Sequence, residues 1–208
     1  MTNTRAVSLL PMEGESACSL LLRAAALVSP FPSLVVKHFM GDAEALASAV
    51  HRHDAIDPIA SSFGIDEATL INTMIHKADT GLRVGPFVVR ARDVDQTRRR
   101  VCPAVLRTDR DTGIPPYQRL NWVIRVVRYD ETSFAPIIDR CGCGCDLFWS
   151  QTVRVEECPS CGSLLWESTR GEAEPQDAEA VQFLGALFSS SEARRNDARS
   201  RLPPSTAQ

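Results

Sequence analysis

Arg140-Cys-Gly-Cys-Gly-Cys-Asp-Leu-Phe-Trp149, followed after a short spacer by Glu157-Cys-Pro-Ser-Cys-Gly162, is the stretch from which the rest of this chain is read. The 208 residues contain seven cysteines, and five of them fall between Cys141 and Cys161. In a reducing compartment such crowding points to a metal site rather than to a disulfide framework. Zinc takes four ligands in a tetrahedral array, and two short cysteine turns joined by a hairpin supply them. A glycine after a ligand lets the backbone turn and aim amide N–H groups at the sulfur. Cys158-Pro-Ser-Cys161-Gly162 is a regular second knuckle, whereas Cys141, Cys143 and Cys145 are spaced i, i+2, i+4. Matching Cys143-Gly144-Cys-Asp-Leu147 to Cys161-Gly162-Ser-Leu-Leu165 makes Cys143 the counterpart of Cys161 and leaves Cys145 spare. The expected ligands are therefore Cys141, Cys143, Cys158 and Cys161 around one structural zinc ion, with Cys145 in place of Cys141 or Cys143 as the open alternative. Four sulfurs leave no coordination position for a substrate, so chemistry at the metal is not expected.

Upstream of the cysteines the pattern is helical. Ser16 is placed to cap a helix whose apolar positions include Ala17, Leu20, Leu21, Ala24, Leu27 and Val28, and Ser29-Pro30 ends it. Cys18 falls on that helix as a core residue. Short helices are expected over 33–39 and 43–50, and two more follow Asp57, separated by Gly64. In this last pair Ala60 is small where the helices meet, Ile59, Ile65 and Leu70 form a shared core, and Asp66 caps the second helix, as in a helix-turn-helix. Thr69, Asn72, Thr73 and His76 are its candidate contacts to DNA or a partner. An ordinary helix pair produces the same spacing, and Lys77 is the only positive charge on the second helix. His51 and His53 read as surface or capping residues.

Past Gly81 the texture becomes β-branched and aromatic, which predicts short strands at 86–89 and 121–127. A short helix is expected over about 178–187, with a flexible tail around it. The fold class is thus α+β, predominantly α. A helical domain with a helix-turn-helix (1–81) precedes a β-containing region with the zinc ribbon (82–167) and a terminal helix and tail (168–208).

Apolar residues make up 44% of the chain, enough for a real core, and the formal charge is -3. No apolar run reaches the roughly 18–20 residues that span a bilayer, so no membrane partner is expected. The opening Met1-Thr-Asn-Thr-Arg5 lacks the basic-then-apolar order of a secretory signal, which predicts a cytoplasmic protein. Residues 82–128 hold eleven arginines against four acids, a local excess expected to face phosphate or an acidic partner, with Arg98, Arg99 and Arg100 at its centre. No phosphate-cradling loop, zinc-protease helix or nucleophile elbow is present, so no enzyme is expected.

These residues combine into a resemblance. Leu9-Leu-Pro11 with Gly14-Glu15-Ser16-Ala-Cys-Ser19-Leu-Leu-Leu-Arg23-Ala-Ala25 resembles the opening of TniQ/TnsD-family transposition proteins, a proline followed by Glu-Ser-Leu-x-Ser-aromatic-Leu-x-Arg-Leu-Ala. Leu20 stands where the family has the aromatic. Cys102-Pro103-Ala-Val-Leu106, Asp109, Tyr117, Leu120 and Trp122 resemble that family's Cys-Pro-x-Cys-Leu … Asp … Trp block, and the knuckles after Arg140 follow as its terminal zinc site does. The likeness spans residues 9–166. The first finger of the family departs here: Val105 replaces its second cysteine, and 128–133 holds neither Cys nor His, so this finger is expected to be metal-free and held by apolar packing. The resemblance implies a non-enzymatic targeting adaptor that marks an insertion site on duplex DNA and recruits an AAA+ ATPase regulator and the transposase complex. In short members an RNA-guided CRISPR effector with its guide RNA can be a further partner. The competing expectation from the residues alone is a helix-turn-helix transcriptional regulator with a structural zinc.

Overall fold

Ser16 opens the first helix, its hydroxyl accepting the amide of Ser19 at 3.4 Å. This helix, α1, runs Ala17–Ala26, and all of it except Arg23 and Ala26 is buried. The computed structural model describes residues 10–27, 29, 56–167, 178–189 and 191–202. The helices expected at 33–39 and 43–50, together with His51 and His53, lie outside the described residues.

What fixes α1 in place is polar. Glu15 is only 1% exposed. Its carboxylate accepts hydrogen bonds from Ser19 Oγ (3.0 Å), Arg23 Nε (3.1 Å), the Arg23 guanidinium again (2.6 Å) and the Met12 amide (3.0 Å). Ser16 donates its amide to the Gln118 carbonyl at 3.0 Å and its hydroxyl to Gln118 Oε1 at 2.8 Å, and the Gln118 amide donates to Ser19 Oγ at 3.0 Å. Leu120 N donates to Gly14 O at 2.6 Å, and Glu15 forms a bridge with Arg119. The Glu-Ser-x-x-Ser-x-x-x-Arg pattern is thus a weld between the N-terminal helix and a segment about a hundred residues away. Glu15→Ala should leave Arg23 and the Met12 amide unpaired at low dielectric and cost about 3–5 kcal/mol, the usual penalty for half of a buried ion pair. Urea unfolding of the variant beside Glu15→Gln, which keeps a hydrogen-bond acceptor, measures it.

The next two helices are α2 (Ile56–Phe63) and α3 (Glu67–Thr73), separated by Gly64 in the left-handed region at φ 62°. Ile59, Ala60, Ile65 and Leu70 are buried together as the spacing predicts. Asp66 caps α3 by accepting the Thr69 amide at 2.8 Å, and this bond holds its carboxyl below the usual carboxylate range. The helix stops earlier than expected. Thr73 is buried, donates its hydroxyl to Leu70 O at 2.7 Å, and the chain passes at once into a sheet.

That sheet is antiparallel, in the order β1 (Ile75–Ala78), β2 (Gly81–Val84), β3 (Phe87–Val89). Ile75 pairs with Val84 and Val84 with Phe87. A Cβ on Gly81 would collide with the Val89 carbonyl, so the close approach of β2 and β3 requires glycine there. Strand β3 falls where the sequence predicts one and β2 opens the region expected to contain strands, whereas β1 replaces residues expected to continue the helical head. The strand expected over 121–127 is instead a 3₁₀ turn, Leu120–Val123, followed by a single bridge between Val94 and Ile124. The reason is visible in the burial: Trp122, Val123 and Ile124 are consecutively buried rather than alternating. The Val123 carbonyl accepts the Asp95 amide at 2.8 Å, and the carbonyls around it are taken by a side chain. The Arg100 guanidinium donates to Trp122 O (2.6 Å), Ile124 O (2.7 Å) and Val127 O (2.9 Å), doing the work of a neighbouring strand.

Helix α4 (Pro103–Asp111) has Pro at its first turn and the buried Cys102 as N-cap. The Cys102 thiol faces Ser133 Oγ at 3.6 Å and the Ala135 carbonyl at 3.8 Å. Asp130 organises that loop by accepting the amides of Thr132 (3.1 Å) and Ser133 (2.9 Å), so this corner is held by hydrogen bonds as well as apolar packing. Helix α5 (Ala178–Leu187) lies where expected, but α6 (Glu192–Ser200) replaces part of the anticipated flexible tail. Only Ala198 of α6 is buried, which is why no apolar stripe announced it. The pair docks through Phe188 edge-on to Phe87 (5.2 Å), Arg194 to Glu131 (2.7 Å), and Gly185, where any Cβ would strike the Glu131 side chain. The fold is mixed α+β, and no helix among the described residues is long and apolar enough to cross a membrane.

Candidate metal centre

Each cysteine turn is the tip of a small hairpin closed by one bridge, Arg140 with Asp146 and Glu157 with Leu164. The two tips repeat one another bond for bond. Cys141 N donates to Cys145 O (2.8 Å) and Cys158 N to Ser163 O (2.9 Å); Leu147 N donates to Asp139 O (2.9 Å) and Leu165 N to Glu156 O (2.7 Å). Gly144 at φ 94° and Gly162 at φ 70° turn the chain after Cys143 and Cys161, a conformation that side chains resist. Leu147 and Leu165 are both buried beneath the turns. The correspondence expected from the sequence therefore holds, and the first tip is one residue shorter.

The tips face each other. Sγ of Cys141 lies 3.8 Å from that of Cys161, and Sγ of Cys143 lies 3.8 Å from that of Cys158. All four ligand atoms stand within 4.8 Å of one another. Sulfurs placed about 2.3 Å from a common tetrahedral ion are about 3.8 Å apart, so the two facing pairs already stand at that spacing and the set of four could hold such an ion. Cys141 and Cys158 face the core, whereas Cys143 and Cys161 are exposed. Burial pushes the Cys141 thiol up to about 12, while the Ser163 hydroxyl, 3.3 Å away, helps to bring Cys161 down to about 6. Cys145 is outside the group of four and turns its sulfur to the Asp146 carbonyl at 3.3 Å.

The arginine triplet is the main correction. Arg98, Arg99 and Arg100 were expected at the centre of an exposed basic face, and the last two are buried at 0% and 7% exposure. Arg98 is ion-paired to Asp139 (2.9 Å) and Asp146 (3.7 Å) and lies over the Phe148 ring. Arg99 reaches under the second knuckle, where its guanidinium donates to the carbonyls of Arg154 and of Glu157, the latter at 2.7 Å. Its Nε has no hydrogen-bond partner, and it forms no ion pair among the described residues. Burial pulls its pKa down to about 10, opposed by negative charge on Glu156, Cys158, Cys141 and Glu157. A divalent ion held by four thiolates would carry two net negative charges, and Arg99 is the buried cation that would stand beside it. The physical reason for the inversion is that residues 94–167 have little regular secondary structure, so their carbonyls are satisfied by the forked donors of arginine.

Of the candidate contacts on the second helix, Thr69 is half-buried and Asn72 exposed, but Thr73 is buried and His76 is not on the helix at all, being in β1. Asp66 and Glu67 are exposed at the start of α3, which presents negative charge there. Thr69, Asn72 and Thr73 line a cavity of about 770 Å³ shared with Glu13, Arg119 and Arg195. The Arg119–Asp109 pair was foreshadowed only by the family block: Asp109 is 3% exposed and receives both guanidinium nitrogens of Arg119, which stacks on Tyr117 (3.7 Å) and Trp122 (5.2 Å). Gln118, central to the α1 weld, carried no sequence signal. No family model matches this chain. No curated protein matches it either.

Proposed function

We propose that this chain is a non-catalytic coupling protein whose ribbon is fastened by one zinc ion on Cys141, Cys143, Cys158 and Cys161. The all-sulfur donor set and its tetrahedral spacing support zinc. The buried carboxylates Glu15, Asp95 and Asp109 are each engaged in hydrogen bonds that hold the fold, in keeping with a role other than catalysis.

Within that class, the reading supported best is a short TniQ-like transposition adaptor, marking a target on DNA and recruiting an AAA+ ATPase regulator and transposase, in some systems beside an RNA-guided effector. One observation carries it. The family's two separated sequence blocks converge: Glu15, Ser16, Ser19 and Arg23 from the first meet the 117–122 segment of the second in one hydrogen-bonded network. With Arg99 and Arg100 buried and Arg98 held by Asp139 and Asp146, the exposed part of α3 is the remaining candidate for the ATPase.

The test is to mix the protein with the AAA+ ATPase encoded beside it, ATP and duplex DNA, and to follow complex mass. A ternary complex that forms only with ATP is expected. The turn at Gly64 and the shared core of α2 and α3 favour a second reading, a helix-turn-helix regulator. Tight, sequence-specific, salt-insensitive binding by the isolated protein, with no ATPase association, would decide for the regulator.

A further inference from the structure

The arginine excess of residues 82–128 divides in two. Arg99 and Arg100 are buried, Arg98 and Arg119 are held in ion pairs with Asp139 and Asp109, and two more are held at the surface of α4. Arg107 donates to Trp166 O at 3.1 Å, and Arg110 pairs with Asp111 at 2.7 Å and lies over the Trp166 ring. Arg83, Arg90, Arg92, Arg125 and Arg128 are left, and all five are exposed.

These five lie on consecutive hydrogen-bonded segments. Arg83 on β2 pairs with Val88 of β3, and Arg90 follows that strand directly. The 3₁₀ turn Ala91–Asp93 carries Arg92, and Arg125 donates its amide to Asp93 O at 2.8 Å beside the Val94–Ile124 bridge. Arg125 and Arg128 flank the buried Val127, whose carbonyl accepts from the Arg100 guanidinium at 2.9 Å, so this short stretch is pinned with both arginines exposed beside it. Neutralisation is weak along this run. Arg92 is 74% exposed and 4.0 Å from Asp93, and Arg125 is 60% exposed and 3.7 Å from Asp95. Arg83, Arg90 and Arg128 form no ion pair among the described residues. Asp79 at the hairpin tip, with Lys77 beside it, and Asp130, two residues beyond Arg128, are further acids along this run, and Asp139 faces Arg100 with Asp95.

We propose that this ledge, Arg83, Arg90 and Arg92 on the sheet side with Arg125 and Arg128 behind it, grips the phosphate backbone of duplex DNA. Guanidinium forks match phosphate oxygens two at a time, and a row of them on a chain of net charge -3 concentrates attraction on one face. Such contacts position the protein without reading sequence. The inference rests on the adaptor reading for the choice of duplex DNA, and it relocates the contact from Arg98–Arg100.

The experiment is fluorescence anisotropy of the isolated full chain on a labelled random-sequence duplex, titrated at several salt concentrations. Arg125→Glu/Arg128→Glu and Arg83→Glu/Arg90→Glu are compared with Arg199→Glu/Arg201→Glu, an equal charge change on α6. Each ledge variant should lose tenfold or more in affinity at low salt and flatten the log–log salt slope by about two, while the α6 control stays within about threefold. Equal losses in all three variants, no wild-type binding at about 50 mM salt, or tighter binding of single-stranded RNA than of the duplex would overturn the ledge. ATPase is absent from this assay, so the two readings fail separately. Failure to recruit the ATPase with an intact ledge response sinks the adaptor, whereas an unmoved salt slope with ATPase recruitment intact sinks the ledge.

Discussion

Cys158→Ser should empty the metal centre and unravel the ribbon, taking bound zinc from about one ion per chain to near zero by elemental analysis. Cys158 is 1% exposed, and the two hairpin tips hold no regular strand among the described residues, only the bridges at 140–146 and 157–164. Structural zinc binding in small zinc-finger domains is worth about 10–16 kcal/mol, comparable to or above the stability of a whole domain. The expected signature is loss of hydrogen-exchange protection at the Leu147 and Leu165 amides, which seal the base of each tip. Cys145→Ser is the internal contrast and should keep its zinc. A Cys158→Ser protein that retains a full equivalent, or a Cys145→Ser protein that loses it, would contradict the ligand assignment.

The second large effect is expected at Arg99. Arg99→Met has nearly the right volume but strips two carbonyls of their donor and leaves the thiolate cluster without its buried counter-charge. Removing one side of a buried charge arrangement costs about 3–5 kcal/mol. Beyond stability, zinc should pass to a chelator at least tenfold faster, because the bound state loses a cation that favours it over the apo state. Arg99→Lys should recover only part of this, since one ammonium cannot span the carbonyls of Arg154 and Glu157 as a planar fork does. Chelator-transfer rates equal to wild type in the methionine variant would show that Arg99 merely fills space.

The ligand set was legible in the sequence because cysteine spacing is local and carries its own chemistry; even the internal match that set Cys145 aside survived in the backbone bonds. Helices α1 and α5 were legible for the same reason, an apolar face with a clear beginning and end. What escaped was decided at long range. A charge run such as Arg98–Arg100 reads alike in solvent and in the interior, and only the carbonyls of Trp122, Ile124, Val127, Arg154 and Glu157, which the guanidinium groups of Arg99 and Arg100 reach, distinguish the two. The consecutive apolar residues at 122–124 looked like a strand because burial without alternation is also what a central strand shows. His76 was assigned to a helix that Thr73 ends three residues earlier, and the hairpin beyond it turns through Asp79-Thr80, with its glycine one residue later, rather than through the Asn-Gly or Asp-Gly pair that usually announces one. Helix α6 had no apolar periodicity to detect, since its attachments are a ring pair outside it and ion pairs along it.

Arginine side chains take the place of neighbouring strands through much of this fold, and that choice of fastener sets a chemical vulnerability. The guanidinium ion, dissolved as a denaturant, is the same ligand those carbonyls already bind. It therefore competes at the joints themselves as well as solvating exposed surface, and urea, which bears no charge, has no such claim on Asp109, Glu15 or the carboxylates around Arg98.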